Sequence, residues 1–187
     1  MTRRLRLPLA VAILAVLLDQ ATKALVRLYL PFGESWPEGW TLIRLARVEN
    51  TGAAFGILQG AGGWLIVVTL VAIGAITFFL MTMPHRGRLF PLALSLILGG
   101  AVGNLIDRVR FGSVTDFIDP THYPAFNLAD SAIVVGVVTM FVVSWFEPDE
   151  DEEEHAAHPG QDEHAEHDTH GVDAEGRTSS THARRPE

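Results

Sequence analysis

The chain has 187 residues, 48% of them hydrophobic, and a formal net charge of −8. It contains no cysteine, which excludes disulfide staples, thiolate metal sites and a cysteine nucleophile. The charge is unevenly placed: residues 147–187 hold 14 Asp/Glu against 3 Arg, so the acidity belongs to a tail and the body before it is slightly basic.

Four apolar stretches follow one another: about Leu7 to Leu30, Gly63 to Met83, Leu89 to Val109 and Leu128 to Phe146. A helix rises 1.5 Å per residue, so about 20 residues cross a ~30 Å hydrocarbon core. Each stretch reaches or nearly reaches that length. Runs such as WLIVVTLVAIGAITFFLM are apolar on every face, and a soluble chain of this size could not bury them. Arg3, Arg4 and Arg6 before the first run resemble the start of a secretory or twin-arginine signal. The run continues past Asp19 and Lys23 without an A-x-A site, and three more spans follow, so an uncleaved first span is expected.

Orientation follows from positive charge in short loops. The three N-terminal arginines, and Arg86 and Arg88 in the Pro84–Arg88 turn, place both of those segments in the cytoplasm. With four spans the C-terminus is cytoplasmic too, and the loops at about 31–62 and 110–127 lie outside. Arg44, Arg47 and Arg110 run against the charge rule. The segment TLIRLARVEN suggests a short sheet or hairpin at the membrane surface. GAAFGILQGAGG suggests an apolar segment lying in the interface, a depth that also suits Trp36, Trp40 and Trp64. The tail lacks apolar periodicity and reads as disordered. It holds six of the eight histidines, with irregular spacing that offers at most a weak peripheral metal site. The expected organisation is a membrane domain over 1–147 and a disordered, acidic, His-rich cytoplasmic tail over 148–187.

Polar residues inside the spans carry the chemical information, because an ionised group at mid-membrane costs about 2.5–3.5 kcal/mol on insertion scales. Asp19 and Lys23 stand at i and i+4 on one helix face, as an intrahelical ion pair or as site support. Asn104, Asp107 and Arg108 form one stripe near the end of span three. Asp107 and Arg108 are adjacent, so each needs its own partner. Gly99, Gly100 and Gly103 keep that helix slim for close packing. Asn127 and Asp130 open span four, where Asp130 has the alternative of a simple helix-start acid. Asp116 lies 14 residues before Asp130, in an outer loop that Pro120 and Pro124 stiffen, so the two carboxylates can meet at the membrane surface. Asp119 rivals Asp116, or forms a turn before Pro120. Paired carboxylates cannot both ionise readily, and a water between them can be activated for attack on a carbonyl. A serine route has only Ser113 and His122 to draw on.

LLDQATK, VENTGAAFG, GNLIDRV, VTDF and FNLAD, in this order and spacing, resemble the lipoprotein signal peptidases (signal peptidase II). The resemblance covers about residues 5–147 and leaves the tail outside. It implies an all-α membrane protein of four transmembrane helices with a small extracytoplasmic β-cradle, acting as an aspartyl intramembrane protease of the bacterial inner membrane. The substrates implied are prolipoproteins, cut before a diacylglyceryl-modified cysteine. The catalytic pair falls on Asp116 and Asp130, pocket positions fall on Asn50, Asn104, Arg108 and Asn127, and supporting positions on Asp19 and Lys23, beside Asp107. Membrane lipids are expected partners; no nucleic acid, metal or cofactor is expected. The rival class is a transporter or proton relay, which would place charged groups at comparable depth from both membrane faces.

Overall fold

The computed structural model describes residues 3–52, 62–82 and 87–146. The interfacial segment, the turn holding Arg86, and the acidic tail with its metal-site alternative lie outside the described residues. Four helices are long and apolar enough to span a membrane: α1 (Arg6–Tyr29), α2 (Gly62–Thr82), α3 (Leu89–Phe111) and α4 (Leu128–Phe146). Their bounds agree with the apolar runs to within two residues at each end.

The helices are built inside out. Val67, Leu70, Val71 and Phe78 of α2 and Val134, Val138 and Phe141 of α4 are exposed, whereas Asp19, Lys23, Asn104, Asp107 and Asn127 are buried. Lipid explains this inversion, since apolar side chains gain nothing there by leaving the surface and polar ones must find partners inside. The central helix is α3, which packs against each of the other three. Its glycines permit backbone-close contact on two sides. A Cβ on Gly99 would stand 2.7 Å from the carbonyl oxygen of Ala12 on α1, and one on Gly100 would run into that of Ala129 on α4. One on Gly103 would lie 2.6 Å from an Asp19 carboxylate oxygen.

At one end of the helices lies a three-stranded antiparallel sheet, in the order β1 (Ser35–Trp36), β2 (Ile43–Asn50), β3 (Val114–Pro120). The strand expected in TLIRLARVEN is β2. The stretch expected as a proline-stiffened loop is instead largely the strand β3. Its partner is about 70 residues away, and its first four residues are buried on both faces, so no alternation marks it locally. α3 ends on Gly112, whose φ of 76° is a left-handed cap, with its N–H donated to the Arg108 carbonyl. That reversal turns the chain directly into β3. Between Leu45–Ile118 and Val48–Asp116 the register slips, so Ala46 and Arg47 together oppose Phe117. A bulge of this kind bends the strand and re-aims the residues beyond it, here Val48 to Asn50 alongside Asp116.

Candidate active site

The start of α4 fixes one carboxylate. Asn127 is the residue before the first helical turn, and it forms a reciprocal cap with Asp130. The Asn127 side-chain oxygen accepts the Asp130 N–H at 3.0 Å, and an Asp130 oxygen accepts the Asn127 N–H at 3.2 Å. Between them, the Ala129 N–H donates to Asp19 on α1 at 3.0 Å. The first N–H groups of a helix have no partner within it, and here the two acids and the asparagine take that role. The helix-start alternative for Asp130 therefore describes a real contact.

Asp116 comes to the same place from β3. One of its oxygens accepts from Asn127 Nδ2 at 2.7 Å, the other from Asn50 Nδ2 at 3.0 Å. The second Asn127 amide hydrogen goes to Asn104 Oδ1 at 3.1 Å, and Asn104 Nδ2 donates to Asp130 at 2.7 Å. Asn127 thus touches both carboxylates. Among the described residues, neither Asp116 nor Asp130 has a lysine or arginine within ion-pair distance. Burial raises the Asp116 carboxyl from 3.8 to about 6, against the lowering effect of its hydrogen bonds from Asn50 and Asn127; the charge of Asp130 adds to the rise.

Beside the pair is a second group of charges. Lys23 Nζ lies 2.9 Å from Asp19 and 3.5 Å from Asp107, with all three side chains fully buried. Arg27 approaches Asp107 at 3.4 Å and donates to Thr115 Oγ1 at 2.9 Å. Asp107 also accepts the Thr115 N–H at 3.1 Å and Gln20 Nε2 at 3.2 Å. Lys23 in turn donates to Asn104 Oδ1 at 2.8 Å, which turns the Asn104 amide so that its nitrogen faces Asp130. The separate partner required for Asp107 is thus found on α1. Sequence reasoning missed Gln20 and Arg27, although Arg27 continues the Asp19–Lys23 ladder by another four residues.

A cavity of about 530 Å³ opens beside Asp116, lined by Asn50, Thr51, Leu65, Arg108 and Pro124 among others. Of the four expected pocket residues, Asn50 and Arg108 line it. Asn104 and Asn127 do not: both are buried, and their amides are engaged by Lys23, the aspartates and each other. Asp119, the rival carboxylate, is removed from the pair and holds Arg44 at 2.6 Å on the outer part of the sheet.

A family model described as signal peptidase (SPase) II matches residues 11–146. The lipoprotein signal peptidase of Acinetobacter baylyi is 41% identical over 150 residues, covering 74% of this chain and 81% of that one. That of Halothermothrix orenii is 42% identical over 135 residues, covering 72% and 92%. That of Shouchella clausii is 45% identical over 128 residues, covering 68% and 85%. Two solved bacterial membrane enzyme structures, obtained in meso at 2.3 and 1.9 Å, superpose with TM-scores of 0.68 and 0.69 at 31% and 30% identity. They cover 74% and 75% of this chain, and 87% and 94% of their own. With motifs, spans and overall match in agreement, this chain belongs to the signal peptidase II family.

Proposed function

We propose that the protein is an aspartyl endopeptidase that removes signal peptides from prolipoproteins, cutting before a diacylglyceryl-modified cysteine. The observation that carries the aspartyl assignment is the Asp116–Asp130 arrangement: two carboxylates joined through Asn127 and held by neutral amides, with no cation within ion-pair distance among the described residues, and with Asp116 in the wall of an open cavity. Asp130, which accepts the Asn127 backbone N–H at the start of α4, acts as the base. Asp116 acts as the acid. Asp130 takes a proton from water as the water oxygen bonds to the scissile carbonyl carbon, while Asp116 gives its proton to the carbonyl oxygen. Collapse then moves a proton to the leaving nitrogen as the C–N bond breaks.

Arg108 and Asn50 line the cavity and are read as the substrate contacts. Asn104 and Asn127 position the two aspartates, and Asp19, Lys23 and Asp107 hold the helices that carry them. The substrate's acyl chains lie in lipid, where each buried CH₂ contributes about 0.8 kcal/mol. The transporter alternative is disfavoured because the buried ions Asp19, Lys23 and Asp107 gather with the sheet at one end of the bundle. By the arginine distribution, that end faces outward from the bacterial inner membrane and both termini face the cytoplasm. His122→Cys should then react with an impermeant thiol reagent in intact spheroplasts, and Gly87→Cys only after lysis; the reverse pattern overturns the orientation.

The chemistry is tested by single-turnover cleavage of a diacylglyceryl-cysteine peptide by purified Asp116→Asn and Asp130→Asn. Each should lose at least about 10³-fold in rate, and the double variant should be little worse, since members of one catalytic unit are not additive. Binding should persist in all three. Substantial turnover by either single variant overturns the assignment.

A further inference from the structure

Three arginines ran against the charge rule, and the structure accounts for two. Arg44 pairs with Asp119. Arg47 donates to the Arg27 carbonyl at 3.2 Å, closing the end of α1, and lies 3.6 Å from Glu49. Arg110 has no such explanation: among the described residues it forms no ion pair and no side-chain hydrogen bond. Its guanidinium stands 5.3 Å from the centre of the Phe111 ring, and Arg27 covers the same ring at 4.6 Å.

These groups line a second cavity of about 430 Å³ between α1 and α3, with Gln20, Ala24 and Leu28. Arg110 is two residues on from Arg108, about 200° around the helix. It therefore faces away from the peptidase cavity, and the two cavities share no lining residue. The charges around it balance without it. Asp19 and Asp107 are matched by Lys23 and Arg27, so Arg110 is one positive charge in excess at this cleft. Leu28, in the cleft wall, is itself exposed, so the wall is apolar beside the charges.

We propose that this cleft between α1 and α3 binds the headgroup phosphate of an anionic phospholipid, through Arg110 and the exposed part of Arg27, with an acyl chain along Ala24 and Leu28. A guanidinium matches phosphate oxygens bidentately, and a basic pocket between spanning helices suits a lipid headgroup. A free phosphate would gain the same charge contact and nothing from the apolar wall. The diacylglyceryl group of the proposed substrate carries no phosphate, so this is not a second substrate site. The proposal uses the membrane spans and does not depend on the assignment of Asp116 and Asp130.

The test uses the full chain purified in a non-ionic detergent, with bound lipid counted by native mass spectrometry and thermal unfolding followed in parallel. Dioleoyl phosphatidylglycerol should bind about tenfold more tightly than dioleoylglycerol and raise the melting temperature, whereas inorganic phosphate should do neither. Arg110→Gln should abolish that preference, and Ala24→Trp, which fills the cleft without touching a charge, should do the same if Arg110→Gln does not fold. Arg6→Gln, at the opposite end of α1, should leave it intact. Binding that survives both cleft variants, or falls equally with Arg6→Gln, overturns the proposal. Arg110-dependent binding of inorganic phosphate as tight as that of the lipid overturns it in favour of a free anion.

Discussion

Two pairs of aspartates sit side by side in this protein and are treated in opposite ways. Asp19 and Asp107 are faced by Lys23 at 2.9 and 3.5 Å, and Asp107 also by Arg27 at 3.4 Å, so every charge there is balanced. Asp116 and Asp130 are faced by the amides of Asn50, Asn104 and Asn127 and by a backbone N–H, with no cation in contact among the described residues. The first arrangement gives each buried charge an opposite charge as its partner. The second holds both carboxylates in place with neutral donors and, at Asp116, leaves the charged form costly. Asn104 joins the two groups, taking Lys23 on its oxygen and giving its nitrogen to Asp130.

The comparison breaks most visibly if one cation of the balanced group is removed. Lys23→Met leaves Asp19 fully buried without its cation, and Asp107 with only Arg27. It should lower stability by about 3–5 kcal/mol, as expected when one partner of a buried pair is lost. Thermal unfolding in detergent reads this as a large drop in midpoint, with activity falling in step. An unchanged midpoint would show that the group is not structural.

Asp116 should respond with the opposite sign. The folded-state value of Asp116, raised from 3.8 to about 6, means that its charged form opposes folding. That penalty is complete above pH 6 and disappears as pH falls through the window from about 6 to 3.8. A rise from 3.8 to about 6 corresponds to ~3 kcal/mol, and a mismatched amide at Asn50 returns ~1 kcal/mol. Asp116→Asn, whose cleavage is expected to be lost, should therefore be more stable than the parent by about 1–2 kcal/mol at pH 7.5, with the difference closing near pH 4. Unfolding curves at the two pH values check this; a destabilised variant at pH 7.5 would count against an uncompensated carboxylate at this position.

The smallest effect sharpens the comparison from outside. Asp119 pairs with a half-exposed Arg44, and such pairs contribute about 0–1 kcal/mol. Asp119→Asn should keep cleavage within about threefold of the parent and shift stability by less than ~1 kcal/mol. A loss comparable to that of Asp116→Asn would reopen the choice between these two acids.

Particular residues show where sequence reading reached and where it stopped. Asp19 and Lys23 were readable as a pair because a helix brings i and i+4 together on its own. Arg27 stands on the same ladder, four residues beyond Lys23, but nothing local shows that its partners are Asp107 and Thr115. Asn127 was readable as a neighbour of Asp130 on one helix face. Its position as the cap of α4, and its contact with Asp116, were not, because helix starts are set by competition among several donors and acceptors. β3 was missed because a strand buried on both faces shows no alternation, and its partner lies far back in the chain.

The sequence by itself determined the four spans, the slim central helix and the family, since these depend on length, hydropathy and motif order, which are local or linear properties. It also narrowed the chemistry to a few aspartates, because ionisable groups in apolar runs are too costly to be incidental. Only the tertiary structure decided which aspartates are neutralised and which are not. That difference depends on Lys23 and Arg27 reaching Asp107 across 80 or more residues of chain, and on three asparagines from β2, α3 and the start of α4 converging where, among the described residues, no cation comes within ion-pair distance. Electrostatic energy depends on distances in space, and those distances are fixed only once the helices have packed.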